Sequence, residues 1–333
     1  MESETSHCWC GSATLVDFDA DYFRCPACET LVLRRMPRGD VTDVRADEAG
    51  LYGKEYWFDH QEHDVGFPNI TQRSRADLPE RCVHWLRAVL KYKPPPAKTL
   101  ELGAAHGGFV AMLRLAGFDA TGLELSPWIA DYARKTFGVP MLQGPVEKQG
   151  LAPGSLDLLA AMDVIEHLPD PVGTLRACVN LLKPDGVLML QTPQYVEGKT
   201  IEQLRAEGAT FVQHLRPQEH LHLFSRTSAR ELLRRAGVPH VAFEPAMFAQ
   251  YDQFFVASRQ PLSTNDEATI RAALQSTPGG RLAGAILDLA DQRDYYHREC
   301  EARLRVIEVL DAEVKRLQGG QATARPGSPP GAS

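Results

Sequence analysis

Between Lys98 and Arg259 short apolar runs alternate with amphipathic stretches, the signature of a parallel sheet with helices on both faces. KTLELG (98–103), FDATGLEL (118–125), the short VPMLQG (139–144), SLDLLAAMD (155–163) and VLMLQTP (187–193) read as five strands. Between them GGFVAMLRLAG, SPWIADYARKTFG and PVGTLRACVNLL carry apolar residues at helical spacing. Their ends agree with this reading. Ser126 stands where an N-cap belongs, Pro127 at the first helical position and Gly138 just past the last, and Asp170 with Pro171 repeats the arrangement. A long polar segment, 194–224, precedes the helix SARELLRRAG. HVAFE and DQFFVASR then make two more strands, joined closely enough to pair antiparallel. The expected sheet has seven strands.

Outside this region the pattern changes. RADLPERCVHWLRAVLKY (75–92) places Val83, Leu86, Val89 and Leu90 at helical spacing, and the prolines at 94–96 stop it. Past residue 260, Leu282, Ile286, Leu289, Tyr296, Cys300, Ile307, Leu310, Val314 and Leu317 recur four and three apart once Arg293 and Arg303 are admitted. This is a heptad seam of about five repeats. With the opposite face densely charged, it predicts a coiled coil between two copies of the chain, a homodimer. One amphipathic helix lying on its own domain is the other reading. The tail GGQATARPGSPPGAS has the composition of a disordered segment.

Composition narrows the function classes. At 333 residues with 44% hydrophobic content the chain can bury a sizeable core. A formal charge of −7 gives no overall attraction for phosphate backbones or anionic lipid. No run of about 18 apolar residues suggests a membrane span. MESETSHCWC has neither the basic flank nor the apolar segment of a signal peptide, so a cytoplasmic protein without membrane association is expected.

Of the seven cysteines, Cys8, Cys10, Cys25 and Cys28 crowd the first 28 residues, whereas Cys82, Cys178 and Cys300 are scattered and read as small core hydrophobes. A CxC pair and a CxxC pair on two tight turns are what a closed tetrahedral zinc site requires, and metal binding substitutes for a core too small to fold alone. A redox dithiol is the alternative. Residues 1–50 hold ten acids against five arginines, a net −5 that repels phosphate, so docking to protein or acting as a lid suits this ribbon better than reading RNA.

TLELGAAHGGF sits at a strand-to-helix turn, where small residues let the backbone approach a ligand and helix N–H groups point at it. Glu124 ends the second strand, where a carboxylate can accept both ribose hydroxyls. The ligand read from these positions is a nucleoside. ELGAAHGGF, GLELSP, LDLLAAMDVIEHLPDP and LLKPDGVLMLQTP, in that order, resemble the motifs of the class I S-adenosylmethionine-dependent methyltransferases over roughly residues 97 to 260. The resemblance implies an α/β fold, a seven-stranded Rossmann-like sheet with its last strand antiparallel, and a sulfonium donor. Carried over by position, Glu101, Gly103, Ala104, Ala105 and Gly107 belong to the donor loop. Glu124 would hold the ribose, Leu125 would pack on adenine, and Val146 with Glu147 would neighbour the adenine edge. Asp163 and His167 would face donor or acceptor, with a His167 bonded to backbone as the other reading. His106 is expected to be exposed and His84 to sit on a helix surface or core edge. The organisation is then a zinc-ribbon-like domain at 1–45, a helical linker or cap at 46–96, a methyltransferase domain at 97–260 with an active-site insertion at 194–224, a coiled-coil-like extension at 261–318 and a disordered tail at 319–333.

The insertion ends in QEHLHLFS (218–225). A histidine oriented by a neighbouring carboxylate is a credible general base near neutral pH, which makes Glu219 and His220 the candidate catalytic pair. With the cysteine-rich ribbon and YGKEYW, the EHxxxFS segment also resembles zinc-containing methyltransferases acting on nucleotide-linked keto-sugars, which implies that Tyr52 and Tyr56 touch the substrate. In the other reading the segment only leads into a helix capped by Ser225 or Ser228, with Leu221 and Phe224 packed inward. A metal site at His220 and His222 is a third reading, and His222 is otherwise expected to be solvated. The expected function is therefore methyl transfer to a small molecule, a sugar or sugar-containing metabolite, on oxygen or carbon. A ribbon-containing RNA methyltransferase and a noncatalytic scaffold in a biosynthetic complex are the competing functions.

Overall fold

The computed structural model describes residues 3–37, Lys54, Phe58 and 68–322. The N-terminal ribbon consists of β1 (Ser3–Glu4), β2 (Val16–Asp17), β3 (Tyr22–Cys25), β4 (Thr30–Leu33) and β5 (Arg35–Met36). β1 pairs with β5, and β2, β3 and β4 form an antiparallel meander. The cysteine-bearing turns are closed by Gly11 N–H donating to Cys8 O and Glu29 N–H to Cys25 O, both at 2.8 Å. Each turn needs a left-handed residue, Gly11 at φ 87° and Glu29 at φ 60°, and an ion pair from Arg24 to the Glu29 carboxylate at 2.7 Å holds the second.

The helix expected over 75–92 is two helices. α1 (Ile70–Ala76) starts from an Asn69 capping box, and α2 is Val83–Tyr92. The reason is Pro79, which has no N–H to donate. The ladder widens locally, and Cys82 N–H reaches Asp77 O at 2.9 Å, five residues back.

The central sheet is built from β6 (Lys98–Leu102), β7 (Asp119–Glu124), β8 (Met141–Gln143), β9 (Leu156–Met162), β10 (Leu182–Pro193), β12 (His240–Glu244) and β13 (Asp252–Ser258), in the order β12-β13-β10-β9-β6-β7-β8. β13 alone runs antiparallel to its neighbours, pairing Pro193 with Asp252 at one end and Val187 with Ser258 at the other. This is the seven-stranded arrangement expected from the apolar runs. Every residue of β13 is buried, as are Leu158–Met162 of β9, which is why these strands read as nearly continuous apolar runs. The helices α3 (Gly108–Leu115), α4 (Pro127–Phe137) and α5 (Pro171–Leu181) follow β6, β8's predecessor β7 and β9. Ser126 and Asp170 accept the capping N–H groups of Ile129 and Gly173.

Two features of the 194–224 segment were not foreseen. It contains α6 (Ile201–Ala206), and it ends in a strand, β11 (His222–Phe224), that joins the ribbon instead of the central sheet. β11 pairs antiparallel with β4, His222 opposite Val32 and Phe224 opposite Thr30. Tyr22, Leu31 and Leu33 of the ribbon share an apolar cluster with Tyr195, Leu204, Phe211, Leu221 and Leu223 of the insertion. α7 (Arg226–Ala236) then starts from a capping box made by Ser225 and Ser228.

α8 (Glu267–Gln275) and α9 (Pro278–Ala322) close the chain. From Ala285 onward α9 forms a compact unit of its own. Its seam residues Leu289, Tyr296, Ile307 and Leu310 are each about 60% exposed. Cys300 lies on the same exposed helix, which corrects its placement in the core, whereas Cys82 and Cys178 are buried as expected. Among the described residues no helix is long and apolar enough to cross a membrane.

Candidate active site

At the carboxyl edge of β6, β7, β9 and β10 lies a cavity of about 560 Å³, within the ~300–1,000 Å³ of small-molecule sites. Glu101, Gly103, Ala104, Ala105, Glu124, Leu125, Val146, Asp163, His167, Glu219 and His220 all line it. Gly107 does not. It is the left-handed N-cap of α3 at φ 80°, where an added Cβ would strike Ala133 at 2.9 Å. Tyr52 and Tyr56 lie outside the described residues.

The loop after β6 turns on left-handed backbone at Gly103 (φ 72°) and Ala105 (φ 42°). Gly103 N–H donates to Leu123 O at 2.8 Å, which ties this loop to β7. The Glu124 carboxylate, at the end of β7, accepts from Ala105 N–H at 3.0 Å and Leu125 N–H at 2.8 Å. It therefore stands rigidly at the cavity wall although burial raises its pKa. Glu101 also lines the cavity, and its Oε2 is buried with no hydrogen-bond partner among the described residues. A buried acceptor of this kind is costly unless a ligand donor completes it. A ribose-bearing, ammonium-bearing donor molecule fits these groups: a fixed carboxylate at the end of β7, left-handed backbone at the loop and an unpartnered Glu101 carboxyl oxygen in the same cavity.

On the far wall the chain passes through Asp163 (φ 56°) into a turn of helix at Ile165–His167. Gln191, on β10, donates to Asp163 at 3.0 Å and to Asp252 at 3.3 Å, while Trp85 Nε1–H donates to Gln191. Burial, and then the Asp163 charge, push the Asp252 carboxyl up to about 8. Arg81 reaches Asp163 at 3.3 Å and lies over the Phe248 ring.

Histidines line a further part of the cavity. His167 Nδ1–H donates to Glu219 O at 2.8 Å, and His220 Nδ1–H donates to His214 O at 2.7 Å. Each carbonyl fixes the tautomer and leaves Nε2 as an acceptor. His220 is thus oriented by a backbone carbonyl, where the sequence suggested the Glu219 carboxylate. Glu219 itself is 5% exposed, with Arg216 Nη1 at 3.7 Å. Burial first, then neighbouring His167, hold the His220 imidazole well below its ordinary value, so it is neutral at neutral pH. Glu166, His167 and His220 bring one donor atom each within 4.8 Å of one another. Glu166 is buried, accepts from Thr192 Oγ1 at 2.9 Å, and is raised well above the usual carboxyl range by burial.

Two expectations about histidines are corrected. His222 is 2% exposed, because its Nδ1–H is satisfied by Leu168 O and its ring packs beside Phe224. His106 is 5% exposed, with Nδ1 accepting from Gly108 N–H and Nε2–H donating to Asp77 at 3.1 Å. Sequence reasoning also missed Arg81, Glu166, His214, Tyr251 and Asp252. Glu166 lay inside the quoted DVIEHLPDP, and Asp252 is the lone acid of the buried strand DQFFVAS.

The profile of the methyltransferase domain family matches residues 74–241. The chain belongs to this family. The resemblance to class I S-adenosylmethionine-dependent methyltransferases read from the motifs is thereby borne out. The methyltransferase chain is 30% identical over 155 residues to ubiquinone biosynthesis O-methyltransferase of Xanthomonas campestris pv. campestris (strain B100), which covers 43% of this chain and 64% of that relative. It thus spans less than two thirds of that relative's length. It is also 30% identical over 178 residues to the protein of the same name from Xanthomonas axonopodis pv. citri, covering 49% of this chain and 74% of that one. Among solved structures, a S-adenosylmethionine-dependent methyltransferase from Thermotoga maritima is similar at 20% identity with a TM-score of 0.42, covering 57% of this chain and 96% of that one.

Proposed function

We propose that this methyltransferase moves a methyl group from S-adenosylmethionine to a small-molecule acceptor, a sugar or sugar-containing metabolite, held between the sheet edge and the 194–224 insertion. The observation that carries the reading is one cavity lined by the donor-type loop, Glu124 and His220, whose Nδ1 is taken by the His214 carbonyl. When bound, the donor supplies a methyl group activated on sulfur. Displacement then requires that the acceptor be placed in line and, for oxygen or carbon, relieved of its proton. Neutral His220 can accept that proton, with Glu219 on the same wall. The name of the Xanthomonas relatives favours oxygen as the accepting atom, and the ribbon with EHxxxFS favours a sugar. Tyr52 and Tyr56 are retained as proposed substrate contacts. Calorimetry is expected to show binding of S-adenosylmethionine and S-adenosylhomocysteine, and a labelled-donor screen of nucleotide sugars and other hydroxyl acceptors to show transfer. Binding of neither nucleoside would sink the proposal.

The cysteine tetrad supports a structural zinc. All four Sγ atoms lie within 4.8 Å of one another, and the Cys8–Cys28 and Cys10–Cys25 pairs are 3.6 Å apart. A tetrahedron with Zn–S of ~2.3 Å has sulfur edges of ~3.8 Å, so the cage needs little adjustment. Elemental mass spectrometry should find about one zinc per chain, lost in Cys25→Ser together with a lower melting temperature. Folded, metal-free wild type would refute it.

The α9 seam supports a homodimer. It places Ile307 and Val314 at one core position of the heptad and Leu310 and Leu317 at the other, the β-branched and leucine pattern of a parallel pair. Light scattering should report a dimer for the full chain and a monomer for the Ile307→Glu, Leu310→Glu double variant, whose changes fall on exposed positions. An unchanged mass would count against it.

A further inference from the structure

His220 is held in place by two parts of the chain at once. On the methyltransferase side, Leu221 N–H donates to Glu166 O at 2.8 Å and His220 N–H to Arg216 O at 2.8 Å. On the ribbon side, the Tyr22 hydroxyl donates to His220 O at 2.9 Å and Leu33 N–H to Leu221 O at 2.9 Å. The carbonyls of His220 and Leu221 are therefore fixed by the ribbon, and β11 immediately beyond is a strand of the ribbon sheet.

The path from those contacts to the cysteine cage is short. β3 begins with Tyr22 and ends with Cys25, so one four-residue strand carries a contact to His220 at one end and a thiol of the tetrad at the other. β4 begins at Thr30, whose hydroxyl lies 3.2 Å from Cys28 Sγ and accepts from Trp9 Nε1–H at 3.0 Å. Trp9 packs against Phe224 of β11 with ring centroids 6.2 Å apart. Tyr22 is fully buried, so its hydroxyl is desolvated where it donates to the His220 carbonyl. The donor loop at 103–105 takes its hydrogen bonds from β7 and is not in this path.

We propose that the ribbon is a positioning module for His220: its metal holds the β3–β4 hairpin, and Tyr22 is the positioning residue through which the hairpin sets the imidazole. The inference rests on the methyltransferase reading above. It explains why an acidic ribbon with no phosphate-binding character is attached to this sheet, since its product is a fixed backbone at the acceptor end of the cavity. The donor end does not depend on it.

The test uses the full chain. Tyr22→Phe, with zinc content verified, should leave donor affinity within about twofold and donor KM unchanged, lower kcat by about tenfold or more through a small displacement of the base, and raise hydrogen exchange in peptides spanning 218–225 but not 98–105. Chelation of wild type should reproduce the exchange difference with donor binding retained, and added zinc should reverse it. Unchanged kcat in Tyr22→Phe overturns the proposal, as does metal loss that leaves 218–225 protected or that abolishes donor binding in parallel. If Tyr22→Phe is poorly folded, the chelation experiment decides alone. Failure of untreated wild type to bind donor would instead strike the methyltransferase reading itself.

Discussion

His220→Ala is expected to lower kcat by about 10²- to 10⁴-fold, the range supplied by a positioned general base, while donor affinity measured by calorimetry stays within about threefold. The separation follows from the geometry, because the imidazole belongs to the insertion, whereas Glu124 and the 103–105 loop are braced by β6 and β7. Glu219→Gln should cost less than His220→Ala, since the His214 carbonyl and not the Glu219 side chain orients the ring. The pH dependence gives a second check. Groups packed on the imidazole are His167 and Glu166 from the turn after β9, with His214 and Arg216 from the insertion. Burial, then the two neighbouring histidines and Arg216, oppose its charging, and only the His214 carbonyl favours it. A base with a depressed pKa is neutral above that value and is lost only as pH falls through it. The acid limb of kcat should accordingly lie well below the ~6.5 of an ordinary histidine, with no loss on that limb between about pH 6.5 and 8. A limb at or above 6.5, or a His220→Ala variant with wild-type kcat, would return QEHLHLFS to the status of a helix lead-in.

The part of the candidate site formed by the β6 loop and Glu124 was legible because its determinants are local. Strand, tight loop and helix N-terminus follow one another within 101–108, and Glu124 is named by its place at the end of a strand. The part formed by the 194–224 insertion was not legible for the opposite reason. β11 is three residues long, too short to show an alternation, and its partner β4 is about 190 residues earlier. Nothing in HLF announces a strand of the ribbon. The same distance explains His222 and His106. A histidine read alone is assigned to solvent by its polarity, yet Leu168 O and Asp77, each brought up by the fold, satisfy these rings inside. Pro79 was visible throughout, but a proline in an amphipathic pattern does not say whether the helix stops or widens by one residue and continues. The capping serines 225 and 228 were read correctly in the less functional interpretation of their segment, and capping does not keep His220 from the cavity: Ser225 holds α7 while His220, five residues earlier, lines the pocket.

Gly103→Ala is expected to weaken donor binding by about 10- to 100-fold and to lower the melting temperature. Two independent costs converge at this residue. Its φ of 72° is a left-handed conformation that an L side chain occupies at a cost of ~1–2 kcal/mol. In addition, the new Cβ would stand 2.5 Å from Val164 Cγ2. Val164 is β-branched with few alternative rotamers, so the loop or the Asp163–His167 turn must move, and both line the donor cavity. Gly154→Ala isolates the first cost from the second. Gly154 has a comparable φ of 64° but nothing within 4 Å of its Cβ direction, and it lies away from the cavity lining. That variant should lose stability by ~1–2 kcal/mol with donor affinity unchanged. If the two variants weaken donor binding equally, the effect is general destabilisation; if only Gly103→Ala does, the close approach of the loop to Val164 is what shapes the donor site.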